Sequence, residues 1–358
     1  MIPISIPHLY DEDKVLLKKA IDENFIAHGE QISMFETQFA KFCNRKYAVT
    51  CSNGTVALYL AVKALNLPKG SEVILPSMTI VSCLTAVLEN DLVPVFCDIN
   101  NKTWNVDFDT ISSKITNNTS AVIIVNTYGL MVDPTDIIKL NERYPNIKVI
   151  EDASESHGAS FNQIKAGSLG DISTFSFYAN KIITMGEGGC ILTDSEDMYT
   201  KLLSLRNLNF IDRKKYLHSE AGFNFRITNM QACIGLGQLH NVDITISNRK
   251  RVASIYNANF KNNIKIQIPY NAELIDNVYW YYGIIVKENY DEVLHSLIRN
   301  DIDYRHFFSP LHKQPFINKT DTLPNSEYAY NHGILLPIYT TLENDKVHFI
   351  SNVILEAL

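Results

Sequence analysis

The absences in this chain narrow it first. No basic run longer than three residues interrupts its 358 residues, and 39 acidic against 32 basic residues give a formal charge of −7. A nucleic-acid partner is therefore not expected, and any phosphate must be held locally rather than by the whole surface. No apolar stretch reaches membrane-spanning length, so no membrane partner is expected either. Residues 1–14 (MIPISIPHLYDEDK) lack a basic start followed by an apolar core; no secretory leader is expected, and the chain reads as cytoplasmic. The six cysteines (Cys43, Cys51, Cys83, Cys97, Cys190 and Cys233) form no C-x-x-C pair. Four of them fall in apolar segments and read as small buried hydrophobes, so neither a disulfide nor a metal site is expected.

What is present is a globular chain, 46% hydrophobic and 20% charged, long enough for one large and one smaller domain. Residues 11–24 and 32–42 carry apolar positions at helical spacing. From Tyr47 a strand–helix rhythm starts. Short apolar strands are expected at 48–50, 72–75, 93–97, 121–125, 149–152, 172–177 and 190–193, with helical segments such as 56–65 (VALYLAVKAL) among them. Strands this apolar, separated by helices, imply an α/β fold with a mostly parallel sheet covered on both faces. Residues 206–222 are polar and read as an exposed loop, and 228–240 as a capped helix. After about residue 245 the rhythm changes, with a strand at 278–286 (VYWYYGIIV), a helix at 290–299 and a closing helix at 343–358. The division expected is a large domain over 1–245 and a smaller α+β domain over 246–358, with the N-terminal segment free to pack on the smaller one.

Ligands of such sheets bind where strand carboxyl ends meet loops, and three candidate groups lie there. Ser52-Asn53-Gly54-Thr55 follows a strand and opens a helix, offering free N–H groups, hydroxyls and a glycine to a phosphate; the same residues would also serve as a plain helix cap. Val149-Ile150-Glu151-Asp152 ends an apolar strand in a carboxylate that needs a cationic partner, such as a protonated ring nitrogen; a cap or a structural ion pair would satisfy it as well. Ser176 to Lys181 (SFYANK) puts a lysine at a strand mouth beside the Gly186-Glu187-Gly188-Gly189 turn, where an amine nucleophile could sit. Together they offer an amine for an aldehyde, a carboxylate for a pyridine nitrogen and a helix N-terminus for a phosphate, which is what pyridoxal phosphate (PLP) asks of a protein.

The segments FETQFAKF, CSNGTVALYLAVKAL, EVILPSMTIVS, VPVFCDIN, VIEDASESHGA, GSLGDISTFSFYANKIITMGEGGCILTD, GFNFRITNMQACIGLGQL and RHFFSPLHKQP, in this order, resemble the DegT/DnrJ/EryC1/StrS sugar-nucleotide aminotransferases. The resemblance runs nearly end to end. It implies an aspartate-aminotransferase-like PLP fold of type I, with Lys181 as the Schiff-base lysine and Asp152 as partner of the pyridine nitrogen. Glu155 falls where the family places a residue near the ring hydroxyl. Gly54, Thr55 and Ser176 would hold the phosphate, and Asn224 would reach the phosphate in a neighbouring subunit, making a homodimer with shared sites. Ile80 stands where the family has an aromatic over the cofactor ring. Arg305, Phe307 and His312 resemble a stretch lining the sugar-nucleotide site. The implied reaction moves an amino group from glutamate to a keto-sugar nucleotide. Glu155 with the GFNFRITNM and SFYANKIITM segments most resembles members that aminate C4 of GDP-4-keto-6-deoxymannose; UDP- or dTDP-linked keto-sugars are the alternative. A PLP-fold binding protein without catalysis is set against by the intact Lys181/Asp152 pair, and sugar dehydration by Lys181 itself, since the family's dehydratases carry histidine there.

Overall fold

The computed structural model describes residues 1–317 and 321–358. A seven-stranded sheet organises the larger part. Its spatial order is Tyr47–Cys51, Gly189–Thr193, Ile172–Ser176, Lys148–Asp152, Thr119–Val125, Glu72–Pro76 and Val93–Cys97. Gly189–Thr193 runs against both neighbours, and every other adjacent pairing is parallel. Side chains alternate across a strand, so consecutive residues feed two cores. Ala121, Ile123 and Val125 join Val73, Leu75 and Ile150 in one cluster, while Val122 and Ile124 join Ile74 and Val149 in the other. That double demand is why central strands such as Thr119–Val125 and Glu72–Pro76 carry apolar residues on both faces rather than on one.

A second, four-stranded antiparallel sheet is built from Ile266–Gln267, Tyr282–Val286, Gly333–Leu336 and Arg305–His306, in that order. The helix Val242–Phe260 runs straight through residue 245, so the change of rhythm there is not a break in the chain. At the other end, Ile2 pairs with Ile302, and Ile338 N–H donates to the Ile4 carbonyl at 3.1 Å. The N-terminal residues thus lie against the second sheet's surroundings before the first helix, Asp11–Asp22, begins.

Two local expectations are corrected. The strand expected over 278–286 is confined to Tyr282–Val286. Tyr279 takes a left-handed conformation (φ 52°), and its N–H is taken by the Asn277 side chain at 2.8 Å, so the chain turns before the ladder starts. The polar stretch 206–222 contains a small hairpin, Phe210–Asp212 with Leu217–His218. All six cysteines are buried and free, and among the described residues no helix is long and apolar enough to cross a membrane.

Candidate active site

The parallel strands share one direction, so their carboxyl ends gather on one edge of the sheet, and the candidate residues follow them there. Asp152 ends Lys148–Asp152, and Ser176 ends Ile172–Ser176. Gly54 opens the helix Gly54–Leu65, and Ile80 precedes the helix Val81–Leu88. All four, with Thr55, Glu155 and Lys181, line a single cavity of about 920 Å³.

The helix start is capped and still leaves donors free. The Asn53 side chain accepts from Val56 N–H at 2.9 Å, capping the helix. The N–H groups of Gly54 and Thr55 precede that position, where a helix has no partners of its own to offer them. Gly54 is required by packing, because a Cβ there would lie 2.7 Å from Ser176 Cβ. Its absence lets the helix terminus close on the Ser176 strand end. The Thr55 hydroxyl meets that of Ser82 at 2.7 Å. Backbone donors, hydroxyls and the positive end of a helix thus lie together, a combination suited to an anion.

The acidic floor is buried. Asp152 is 2% exposed; its Oδ1 accepts Ser154 N–H at 3.1 Å, and the Cys83 thiol lies 3.4 Å from Oδ2. Glu155 Oε2 accepts Tyr128 N–H at 2.7 Å. Burial pushes the Glu155 carboxyl up to about 7, with the Lys181 charge pulling the other way. Glu151, next to Asp152, belongs to the scaffold: it accepts N–H bonds from Gly167 (2.9 Å) and Leu169 (2.8 Å) and one from the Asn126 side chain (2.8 Å). His157, fully buried among Phe39, Phe175 and Phe177, is pushed down to about 3 by burial and by Lys181. It is neutral at physiological pH.

Lys181 leaves the strand mouth through a turn closed by its N–H on the Tyr178 carbonyl at 2.9 Å. Burial lowers its amine from the ordinary lysine range, Glu155 and Asp152 oppose that, and the Arg249 charge adds to it. An amine held below its usual proton affinity is available as nucleophile and base.

The roof comes from the second sheet. Arg305 and Phe307 line the cavity, as do His306, Phe308 and Ser309. Arg305 is exposed, with Nη1 on Asp303 Oδ1 at 2.6 Å. Phe307 is 2% exposed and packs edge-on to Trp104 and Tyr128.

Two residues singled out in the sequence lie elsewhere. His312 is buried outside the cavity, its Nδ1 2.6 Å from the Ser77 hydroxyl and its Nε2 3.1 Å from Glu327. It ties the roof loop to the end of Glu72–Pro76 instead of facing a ligand. Asn224 is exposed and not among the residues lining its own chain's cavity, its Oδ1 accepting Arg226 N–H at 3.2 Å. Conversely, Trp280 and Tyr281 line the cavity although VYWYYGIIV reads as an uninterrupted strand. The left-handed Tyr279 that turns them towards the site leaves no mark in the apolar pattern.

A lysine, two carboxyls and an anion-binding helix start at the carboxyl edge of a mostly parallel sheet define a PLP protein of fold type I, and these donor groups fit that cofactor's amine, ring and phosphate needs. The chain belongs to the DegT/DnrJ/EryC1/StrS aminotransferase family, whose profile matches residues 7–355; PLP is the cofactor of that family, and the chain is a PLP-dependent sugar-nucleotide aminotransferase. It is 35% identical over 353 residues to a GDP-perosamine synthase of Escherichia coli O157:H7, covering 98% of this chain and 96% of that protein. A GDP-perosamine synthase of Vibrio cholerae is 35% identical over 362 residues, covering 99% and 98%. A solved GDP-4-keto-6-deoxymannose-3-dehydratase with a trapped PLP-glutamate geminal diamine matches with a TM-score of 0.92 and 26% identity, covering 99% of this chain and 100% of that one.

Proposed function

We propose that this enzyme transfers the amino group of glutamate to C4 of GDP-4-keto-6-deoxymannose, giving GDP-perosamine. The observation that carries the reading is the convergence of Lys181, Asp152, Glu155 and the Gly54 helix start on one cavity roofed by Arg305. Whole-length similarity to two GDP-perosamine synthases supports the acceptor, and the glutamate adduct trapped in a related fold supports the donor. Lys181 stands where dehydration would call for a histidine. The six free cysteines suit the reducing cytoplasm.

Bound PLP supplies the electron sink and carries the amino group between donor and acceptor. This chain's residues do the rest. The Lys181 amine removes a proton from the donor's α-carbon and returns one at the sugar's C4. Asp152 would keep a proton on the ring nitrogen, and Glu155 would serve the ring hydroxyl. Gly54, Thr55 and Ser176 would hold the phosphate, and Ile80, which lines the same cavity, would take the place of an aromatic beside the ring. Arg305 binds the sugar nucleotide's diphosphate, matching a fork of donors to phosphate oxygens, while Phe307 backs the roof that keeps water out.

Asn224, exposed on its own chain, completes the phosphate site of a second copy in a two-fold dimer, where each subunit lends the same loop to the other. Mixed dimers of Lys181→Ala with Asn224→Ala put both defects in one site and none in the other. They should recover activity towards half that of the parent dimer, and no recovery in verified heterodimers would contradict the shared site. The acceptor is tested by offering GDP-, UDP- and dTDP-linked 4-keto and 3-keto sugars with glutamate and reading products by mass. Turnover of only a UDP- or dTDP-linked sugar would overturn the GDP assignment.

A further inference from the structure

The Lys181 amine has a partner that amino transfer by itself does not call for. Its Nζ lies 3.4 Å from the centroid of the Trp280 ring. That ring is held from several sides. Its indole N–H donates to the Asn180 carbonyl at 3.0 Å, and its own carbonyl accepts from Arg249 Nη1 at 2.8 Å. The Asn180 side chain donates in turn to the Tyr281 hydroxyl at 3.2 Å. Gly129 allows the approach from below, since a Cβ there would lie 2.8 Å from Trp280 N. At 5% exposed, Trp280 is a fixed face rather than a mobile flap.

A lysine that is bonded to a cofactor for part of a cycle is free for the remainder and must then be placed. Resting against Glu155 or Asp152 would fix it as an ammonium and occupy carboxyls with other work. An aromatic face attracts the cation without accepting its proton, so the amine stays in reach and can still release it. We propose that the face of Trp280 is the resting seat of the Lys181 amine while that amine is not bonded to the cofactor, which makes Trp280 a positioning residue for proton transfer. The purpose of the seat rests on the aminotransferase reading, whereas its geometry does not.

Other groups also face this amine. Asp152 and Glu155, at and just beyond the end of the strand Lys148–Asp152, favour its charged form. Arg249, from the helix Val242–Phe260, disfavours it, His157 is neutral, and the Tyr281 hydroxyl is pushed up by burial. All remain in place in each comparison below, so a difference between Trp280 variants belongs to Trp280.

The test uses cofactor-free enzyme. The chain has 2 tryptophans, so Trp104→Phe leaves Trp280 as the sole emitter. Its emission should show an inflection with pH that vanishes in Lys181→Met. The same inflection in Lys181→Met, or none with Lys181 present, overturns the seat. Should Trp104→Phe not fold, the difference between the parent and Lys181→Met spectra carries the same information. A second readout is competitive acetylation of Lys181 against pH, followed by peptide mass. Its midpoint should fall by about one pH unit in Trp280→Leu and hold within a few tenths in Trp280→Phe. A midpoint unchanged in Trp280→Leu refutes the idea. Neither readout needs turnover, so a failure of the proposed reaction on every sugar nucleotide would leave this inference standing, and the reverse holds too.

Discussion

The floor of the cavity is made of strand ends. Asp152 and Ser176 continue ladders buried on both faces, and the Glu155 turn is closed by Ser156 N–H on the Ala153 carbonyl at 3.0 Å. The roof hangs from a strand of two residues, Arg305–His306, whose side chains are exposed. Beyond that strand it is anchored through side-chain and loop contacts rather than a ladder: Phe307 against Trp104 and Tyr128, Phe308 N–H on the Tyr128 hydroxyl, and Leu311 N–H and His312 on Ser77. A sheet that cannot shift without breaking two cores is where groups needing fixed placement belong. A loop over it can vary with the acceptor sugar. In this reading the floor does the chemistry and the roof chooses the substrate.

Substitutions in the two regions should therefore fail differently. Lys181→Ala should lower turnover by at least about a thousandfold while the protein still binds PLP noncovalently; a turnover close to that of the parent would remove the floor from the chemistry. Arg305→Ala should raise the KM for the sugar nucleotide about tenfold, the scale of a charge-assisted hydrogen bond, and leave the glutamate half-reaction intact. Equal damage to both halves would erase the distinction between roof and floor. Ile80→Tyr adds a ring to the exposed rim of the floor and should tighten PLP binding about two- to tenfold; a looser cofactor would place Ile80 away from the ring.

The smallest effect concerns protons. Burial raises the Glu155 carboxyl from its ordinary 4.5 to about 7, so the folded state binds that proton more tightly than the unfolded chain does. The resulting stabilisation is complete below 4.5 and is lost as pH rises through about 7. Glutamine stays neutral throughout. In cofactor-free protein, Glu155→Gln should gain on the parent by about 2 °C or more in Tm between pH 5 and 8, while any offset of Arg305→Ala stays constant. A pH-independent offset for Glu155→Gln would mean that its carboxyl is not titrating there.

Floor and roof also differ in how far the sequence exposes them. The central strands of the large sheet are written as largely apolar runs, because each residue must satisfy one core or the other. The strand ends and the loops beyond them are marked in chain order by Ser52 to Thr55, Asp152, Ser176 and Lys181. The roof has no such pattern. Trp280 and Tyr281 hide in a run of aromatics whose strand begins only at Tyr282, and the cause is a single backbone angle at Tyr279. His312 sits beside roof residues in sequence but is drawn into a buried contact with Ser77 that only the folded chain creates. Asn224 is exposed on its own chain, and the role proposed for it in a second copy leaves no mark in the pattern of one chain.

In the proposed reaction this floor moves nitrogen onto the sugar's C4. The most direct measurement supplies glutamate labelled with nitrogen-15 and GDP-4-keto-6-deoxymannose, and locates the label in the product by NMR. The result expected is nitrogen-15 bonded to C4 of a GDP-linked amino sugar, formed by the parent and not by Lys181→Ala. A product that carries no label, or one that has lost its C3 oxygen instead, would contradict it.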